Sequence, residues 1–140
     1  MIIVDTNVLS ELMRRQPAAE VVRWVDSRPT ASLFTTTVTQ AEILFGTLLL
    51  PRGKRREAIH GAAVKMFEED FAQRVLPFGP DAAHAYAEIA SARRRSGRPI
   101  SAFDAQIAAI ARSAGAALAT RNTADFEDCG IAVIDPWREA

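Results

Sequence analysis

The chain has 140 residues, 49% of them apolar and 24% charged, the size and composition of one soluble globular domain rather than two. Lys plus Arg and Asp plus Glu each number 17, so the formal net charge is zero. This excludes binding of nucleic acid by bulk positive charge alone, but not by local patches. A single cysteine, Cys129, excludes an internal disulfide framework and points to a reducing compartment. The apolar run at residues 2–4 is too short for a secretory leader, and an acid follows it at once. No run approaches the roughly 20 apolar residues of a membrane span. The expectation is a cytoplasmic protein with no membrane partner.

In chain order, residues 2–4 read as a buried strand. Val8, Leu9, Leu12 and Met13 then recur at helical spacing until Pro17, and Val21, Val22, Trp24 and Val25 predict a second helix ending near Pro29. The β-branched and aromatic stretch 32–38 predicts a strand. A helix follows over 39–50, stopped by Pro51-Arg52-Gly53, and a long one over 54–73. Residues 75–78 read as a short strand. Two Ala-rich helices, 82–95 and 102–114, flank Gly97-Arg98-Pro99. A strand near 117–120, a helical turn near 123–126 and a strand near 132–134 finish the chain.

Short apolar strands alternating with helices predict an α/β domain of βαβ units, with a mostly parallel sheet of 4–5 strands and helices on both faces. No internal linker, repeat or low-complexity segment divides it, so residues 1–140 read as one domain. Such sheets bind ligands at the carboxyl ends of their strands. Acids and amides gather there: Asp5 after the first strand, Glu42 after the second, Asp104 in the helix after Pro99, and Asn122 and Asp125 after the strand ending at Thr120. Converging carboxylates repel unless a cation neutralises them. An oxygen-only donor set suits Mg²⁺ or Mn²⁺, ions that assist hydrolysis of phosphodiesters.

Part of this pattern also has a purely local explanation. Thr39-Gln40-Ala41-Glu42 and Ser101-Ala102-Phe103-Asp104 both fit the capping box, and acids complement the helix dipole. Asp5 has no such explanation from spacing, with Thr6 or Asn7 the expected caps of the next helix. Other α/β chemistries lack their motifs. There is no G-x-x-x-x-G-K-[ST], no G-x-G-x-x-G and no G-x-S-x-G. The Asp-x-Asp of phosphatases resembling the haloacid dehalogenases is broken at Asn7.

Taken in order, Val4-Asp5-Thr6-Asn7-Val8-Leu9, Ala41-Glu42-Ile43 with Gly46, Asp104-Ala105-Gln106-Ile107-Ala108, and Thr120-Arg121-Asn122-Thr123-Ala124-Asp125-Phe126 resemble the PIN-domain ribonucleases. More narrowly, the chain resembles the VapC-type toxins of bacterial toxin–antitoxin pairs. Val21 to Ser27, Leu76-Pro77-Phe78 and Asp135-Pro136-Trp137 point to their FitB-like subgroup. The resemblance implies a three-layer PIN domain and a Mg²⁺- or Mn²⁺-dependent endoribonuclease. It implies Asp5, Glu42 and Asp104 as catalytic metal ligands, Asp125 or Asn122 completing the set, and Thr6, Asn7 and Thr120 in support. It implies a cognate VapB-like antitoxin, an RNA substrate, a homodimer and a bacterial cytoplasmic location. A second reading keeps the same family. The chain is then chiefly a subunit of a DNA-binding repressor complex on operator DNA, with little nuclease activity, the antitoxin supplying the DNA-reading element.

Arg outnumbers Lys 15 to 2, and its planar fork suits phosphate. Arg52, Lys54, Arg55 and Arg56 form one cluster, and Arg93, Arg94, Arg95 and Arg98 another. Both also fit solvated helix ends. Arg98 and Arg121 lie nearest the acids in sequence and are the expected RNA contacts. His60 and His84 read as surface or packing residues, Trp24 and Trp137 as core or interface, and Cys129 as a loop thiol.

Overall fold

Ile3 and Val4 are neighbours in sequence but lie in different hydrophobic cores, because successive side chains of a strand face opposite ways. The computed structural model, which describes residues 1–139, is organised around that alternation. Strands β1 (Ile2–Val4), β2 (Leu33–Thr36), β3 (Val75–Leu76), β4 (Ala117–Ala119) and β5 (Val133–Ile134) form one sheet in the order β3-β2-β1-β4-β5. All four pairings are parallel, with Ile3 opposite Phe34 on one side and Leu118 on the other.

Six α-helices cover the sheet: α1 (Thr6–Leu12), α2 (Ala19–Asp26), α3 (Thr37–Leu48), α4 (Lys54–Lys65), α5 (Pro80–Arg95) and α6 (Ala102–Ala114). On one face Ile3 and Leu118 pack with Ile89 of α5, Ile107 and Ile110 of α6, and Phe126. On the other, Val4 and Ala119 pack with Val8 and Leu9 of α1, Val21 and Trp24 of α2, and Phe67. The arrangement is the expected three-layer α/β fold. Each of these large side chains contributes about 1.5–3 kcal/mol by leaving water. Gly115 ends α6 in the left-handed conformation at φ +65°, which lets the chain turn into β4.

Several boundaries differ from the expected ones. β2 stops at Thr36, and the threonine-rich run passes directly into α3. The helix expected over 54–73 ends at Lys65 and gives way to a wide π-type turn, Met66–Asp70, which buries Phe67. Trp24 is core and Cys129 lies in a loop, both as expected, and the Cys129 side chain is buried there. Among the described residues no helix is long and apolar enough to cross a membrane.

Candidate functional site

The central strand ends by delivering Asp5 into the carboxyl edge of the sheet, where it is only 4% exposed. Its backbone is pinned on both sides. Its N–H donates to the Ala119 carbonyl at 2.9 Å, and its carbonyl accepts from the Val8 N–H at 3.0 Å. The carboxylate is held as well. Oδ1 accepts the Thr6 N–H at 2.8 Å, so Asp5 itself is the N-cap of α1, not Thr6 or Asn7. Oδ2 accepts the Thr120 hydroxyl at 2.8 Å and the Asn7 amide at 3.3 Å. Asn7 joins two strand ends. Its Nδ2 lies 3.0 Å from Thr120 Oγ1, and its Oδ1 accepts the Arg121 N–H at 3.2 Å.

Burial raises the Asp5 pKa from 3.8 to about 6. The Thr120 hydroxyl and the Thr6 N–H oppose the rise, and the Asp104 and Glu42 carboxylates add to it. None of the groups acting on Asp5 is basic.

Glu42 comes from α3. The cap of that helix is Thr36, whose hydroxyl accepts the Thr39 N–H at 3.0 Å. Glu42 is therefore in the second turn and has no capping-box role, against the expectation. Thr6 Oγ1 donates to Glu42 Oε1 at 2.9 Å and lies 3.1 Å from the Thr39 hydroxyl. Asp104 sits in the first turn of α6, whose cap Ser101 accepts the Asp104 N–H at 3.2 Å, as expected. Burial raises the Asp104 pKa and the Asp125 carboxylate adds to it, while Ser101 and Arg93 pull the other way.

Asp5, Glu42 and Asp104 line one open pocket of about 570 Å³, together with Thr6, Asn7 and Asn122. Thr120 lies buried beneath it, bonded to Asp5. Asp125 is exposed on the short turn Thr123–Phe126 and reaches the pocket only through its charge on Asp104. The two arginines expected near the acids part company. Arg121 lines the pocket, whereas Arg98 is engaged by Glu127 at 3.0 Å and by Asp128. Arg93, expected at a solvated helix end, is buried instead. Its Nε donates to the Arg98 carbonyl at 2.7 Å, and its Nη1 to the Asp125 and Glu127 carbonyls at 2.9 and 3.1 Å.

Four further residues reach the pocket that sequence reading missed: Ser10, Glu11, Arg14 and Trp137. Ser10 and Glu11 continue the Asn7 face of α1 at helical spacing, a signal the sequence did contain, and Arg14 follows just past the end of that helix. Glu11 is buried. Its carboxylate accepts the Ala18 N–H at 2.9 Å and pairs with Arg14 at 3.2 Å, and these contacts hold its pKa low. Trp137 was expected in the core or at an interface. It is half-buried at the pocket rim, where no periodicity leads.

The donor set is oxygen throughout, carboxylate, hydroxyl and amide. Among the described residues no group of three or more Asp, Glu, His or Cys side chains is placed to hold a metal ion as the side chains stand. A hard cation that keeps several of its waters and takes one or two carboxylates directly would not need three of them gathered beforehand. The buried, unneutralised Asp5 carboxylate beside two further acids is the feature such a cation would complete.

The sequence pattern of the PIN domain matches residues 2–131. The VapC ribonuclease Y4jK of Sinorhizobium fredii is 39% identical over 140 residues, covering 100% of both chains. Toxin FitB of Neisseria gonorrhoeae is 38% identical over 139 residues, 99% of this chain and 100% of that one. The solved structure of FitAB bound to an IR36 DNA fragment aligns with a TM-score of 0.93 at 38% identity, over 100% of this chain and 98% of that one.

Proposed function

The chain belongs to the PIN-domain family, and from that premise we propose that it is the toxin of a type II toxin–antitoxin pair, a divalent-metal-dependent endoribonuclease. One observation carries the reading: the buried, uncompensated Asp5 carboxylate, raised in pKa, at the floor of a solvent-open pocket that Glu42 and Asp104 also line. Asp5, Glu42 and Asp104 are the proposed holders of Mg²⁺ or Mn²⁺, with Asp125 or Asn122 completing the set. Such a cation, when bound, supplies a Lewis acid that activates water and offsets phosphate charge.

The chain's own residues prepare that chemistry. Thr120, Asn7 and the Thr6 N–H hold the Asp5 carboxylate in one orientation. The Thr6 side chain holds Glu42. Such preorganisation means the acids need not reorient when substrate arrives. Arg121, on the rim, is placed to meet a phosphate or a base of the RNA. Arg98 is a weaker candidate, because Glu127 and Asp128 already engage it.

The partner we infer is a VapB-like antitoxin. Phe45 and Leu48 on α3 and Leu49 just past its end, all exposed, support a homodimer. The lone free thiol supports a reducing compartment, the bacterial cytoplasm. The alignment with a DNA-bound complex favours a second reading beside the first, a repressor subunit acting with its antitoxin.

The test is cleavage of single-stranded RNA by the purified chain in Mg²⁺, Mn²⁺ and EDTA. Asp5→Asn and EDTA should each abolish it. Undiminished cleavage in either would refute the metal-site reading. Operator binding by the antitoxin complex that survives Asp5→Asn, with no cleavage by the wild type, would leave the repressor reading alone.

A further inference from the structure

Two rim side chains make no hydrogen bond or ion pair with the acids. Arg121 Cζ lies over the Trp137 ring, 5.0 Å from its centroid. Both residues are fixed by backbone bonds. The Arg121 N–H donates to Asn7 Oδ1 at 3.2 Å, and that same Asn7 bonds Asp5 through its amide. The Trp137 N–H donates to the Asp135 carboxylate at 2.9 Å, in a tight turn after β5. The indole is packed against the core that contains Val4 and Ala119. Arg121 is exposed, and among the described residues no acid lies within ion-pair distance of its guanidinium, although its charge is felt by the Glu11 carboxylate. Arg14, by contrast, is committed to Glu11.

A planar cation laid on an indole, bordering a phosphodiester site, has a specific use. Unpaired RNA bases stack on aromatic rings and on guanidinium planes, whereas bases within a duplex are already stacked on one another. The indole also limits the directions in which the guanidinium can turn. We propose that Arg121, backed by Trp137, is the platform on which the nucleobase beside the scissile phosphate stacks. This rests on the ribonuclease reading and adds to it a base-binding subsite.

The experiment is steady-state cleavage of a single-stranded RNA by the wild type, Arg121→Ala, Arg121→Lys and Trp137→Phe. Loss of one stacked base should raise KM about tenfold in Arg121→Ala, with kcat changed less than threefold. Lysine keeps the charge but not the plane, so Arg121→Lys should recover little of the loss. Trp137→Phe should fall between wild type and Arg121→Ala. Annealing a complementary strand should suppress wild-type cleavage. An unchanged KM in Arg121→Ala, full rescue by lysine, or equal cleavage of the duplex would each overturn the platform. Binding of a fluorescein-labelled single-stranded RNA in EDTA separates this idea from the activity it rests on. Affinity that falls in Arg121→Ala, with no cleavage by the wild type, would sink only the ribonuclease reading. Affinity unchanged in Arg121→Ala overturns the platform whether or not RNA is cut.

Discussion

Replacing Asp5 by asparagine should make the metal-free protein more stable, although it removes a group at the centre of the site. The carboxylate is buried, and its pKa rises from 3.8 to about 6 on folding. The folded chain therefore keeps a proton that the unfolded chain releases between those two values. The stabilisation this gives is complete below pH 3.8 and lost as the pH rises through about 6. At pH 7 the ionised carboxylate costs the fold about 3 kcal/mol relative to its protonated form. Asparagine avoids that cost. Its amide cannot accept the Thr120 hydroxyl and the Asn7 amide as Oδ2 does, a loss of about 1 kcal/mol. The net gain is about 2 kcal/mol, or about 4–8 °C in Tm for a domain of this size. Urea unfolding of both proteins in EDTA, followed by circular dichroism from pH 7 down to pH 4, measures it. The advantage should be greatest at pH 7 and shrink as the pH falls. A variant less stable than wild type at pH 7, or an advantage indifferent to pH, would refute the electrostatic argument.

Other expectations follow from the same contacts. Mg²⁺ or Mn²⁺ at 100 times its Kd should stabilise the wild type by about 2.7 kcal/mol in a thermal melt, and Asp5→Asn by much less. Equal shifts in the two proteins would count against Asp5 as a ligand. Arg93→Met should destabilise by about 3 kcal/mol, since the Arg98, Asp125 and Glu127 carbonyls lose their buried donor. Amide exchange over residues 122–129 should accelerate more in that variant than exchange in α6. Gly115→Ala should cost about 1 kcal/mol by urea unfolding, because φ +65° strains any residue with a Cβ although no neighbour obstructs one there. A neutral result would mean the turn relaxes.

The sheet was legible because its signals were short and sharply bounded. An apolar run closed by an acid located Asp5 at a strand end, and α6 began where its Ser101 cap said, whereas α5 begins at Pro80, two residues before the expected Ala82. The start of α3 was not legible. Thr35, Thr36, Thr37 and Thr39 favour strands and caps alike, so only the packing of Val38 and Thr39 decides where the helix begins. Asp5, Thr6 and Asn7 are all able to cap, and the choice of Asp5 depends on β4 lying beside it. Arg93, Arg94 and Arg95 look alike in sequence, and only the first meets the carbonyls of a distant turn. Trp137 reached the rim through the turn at Asp135, which carries no periodic pattern. For Asp5 and Arg93 the deciding partner is far away in the chain.

That distance also bears on how the molecule is made. The Thr120 hydroxyl that completes the Asp5 shell lies 115 residues downstream of it, and the strand that flanks Asp5 on that side is β4. A nascent chain reaching only as far as α6 carries Asp5, Glu42 and Asp104, but has nothing to close the floor of their pocket. Long-range parallel pairing of this kind forms late, after the loop-closure entropy has been met. The emerging polypeptide therefore keeps its acids unassembled until β4 is available to pair with β1. Completion of the acidic pocket thus waits on that one pairing.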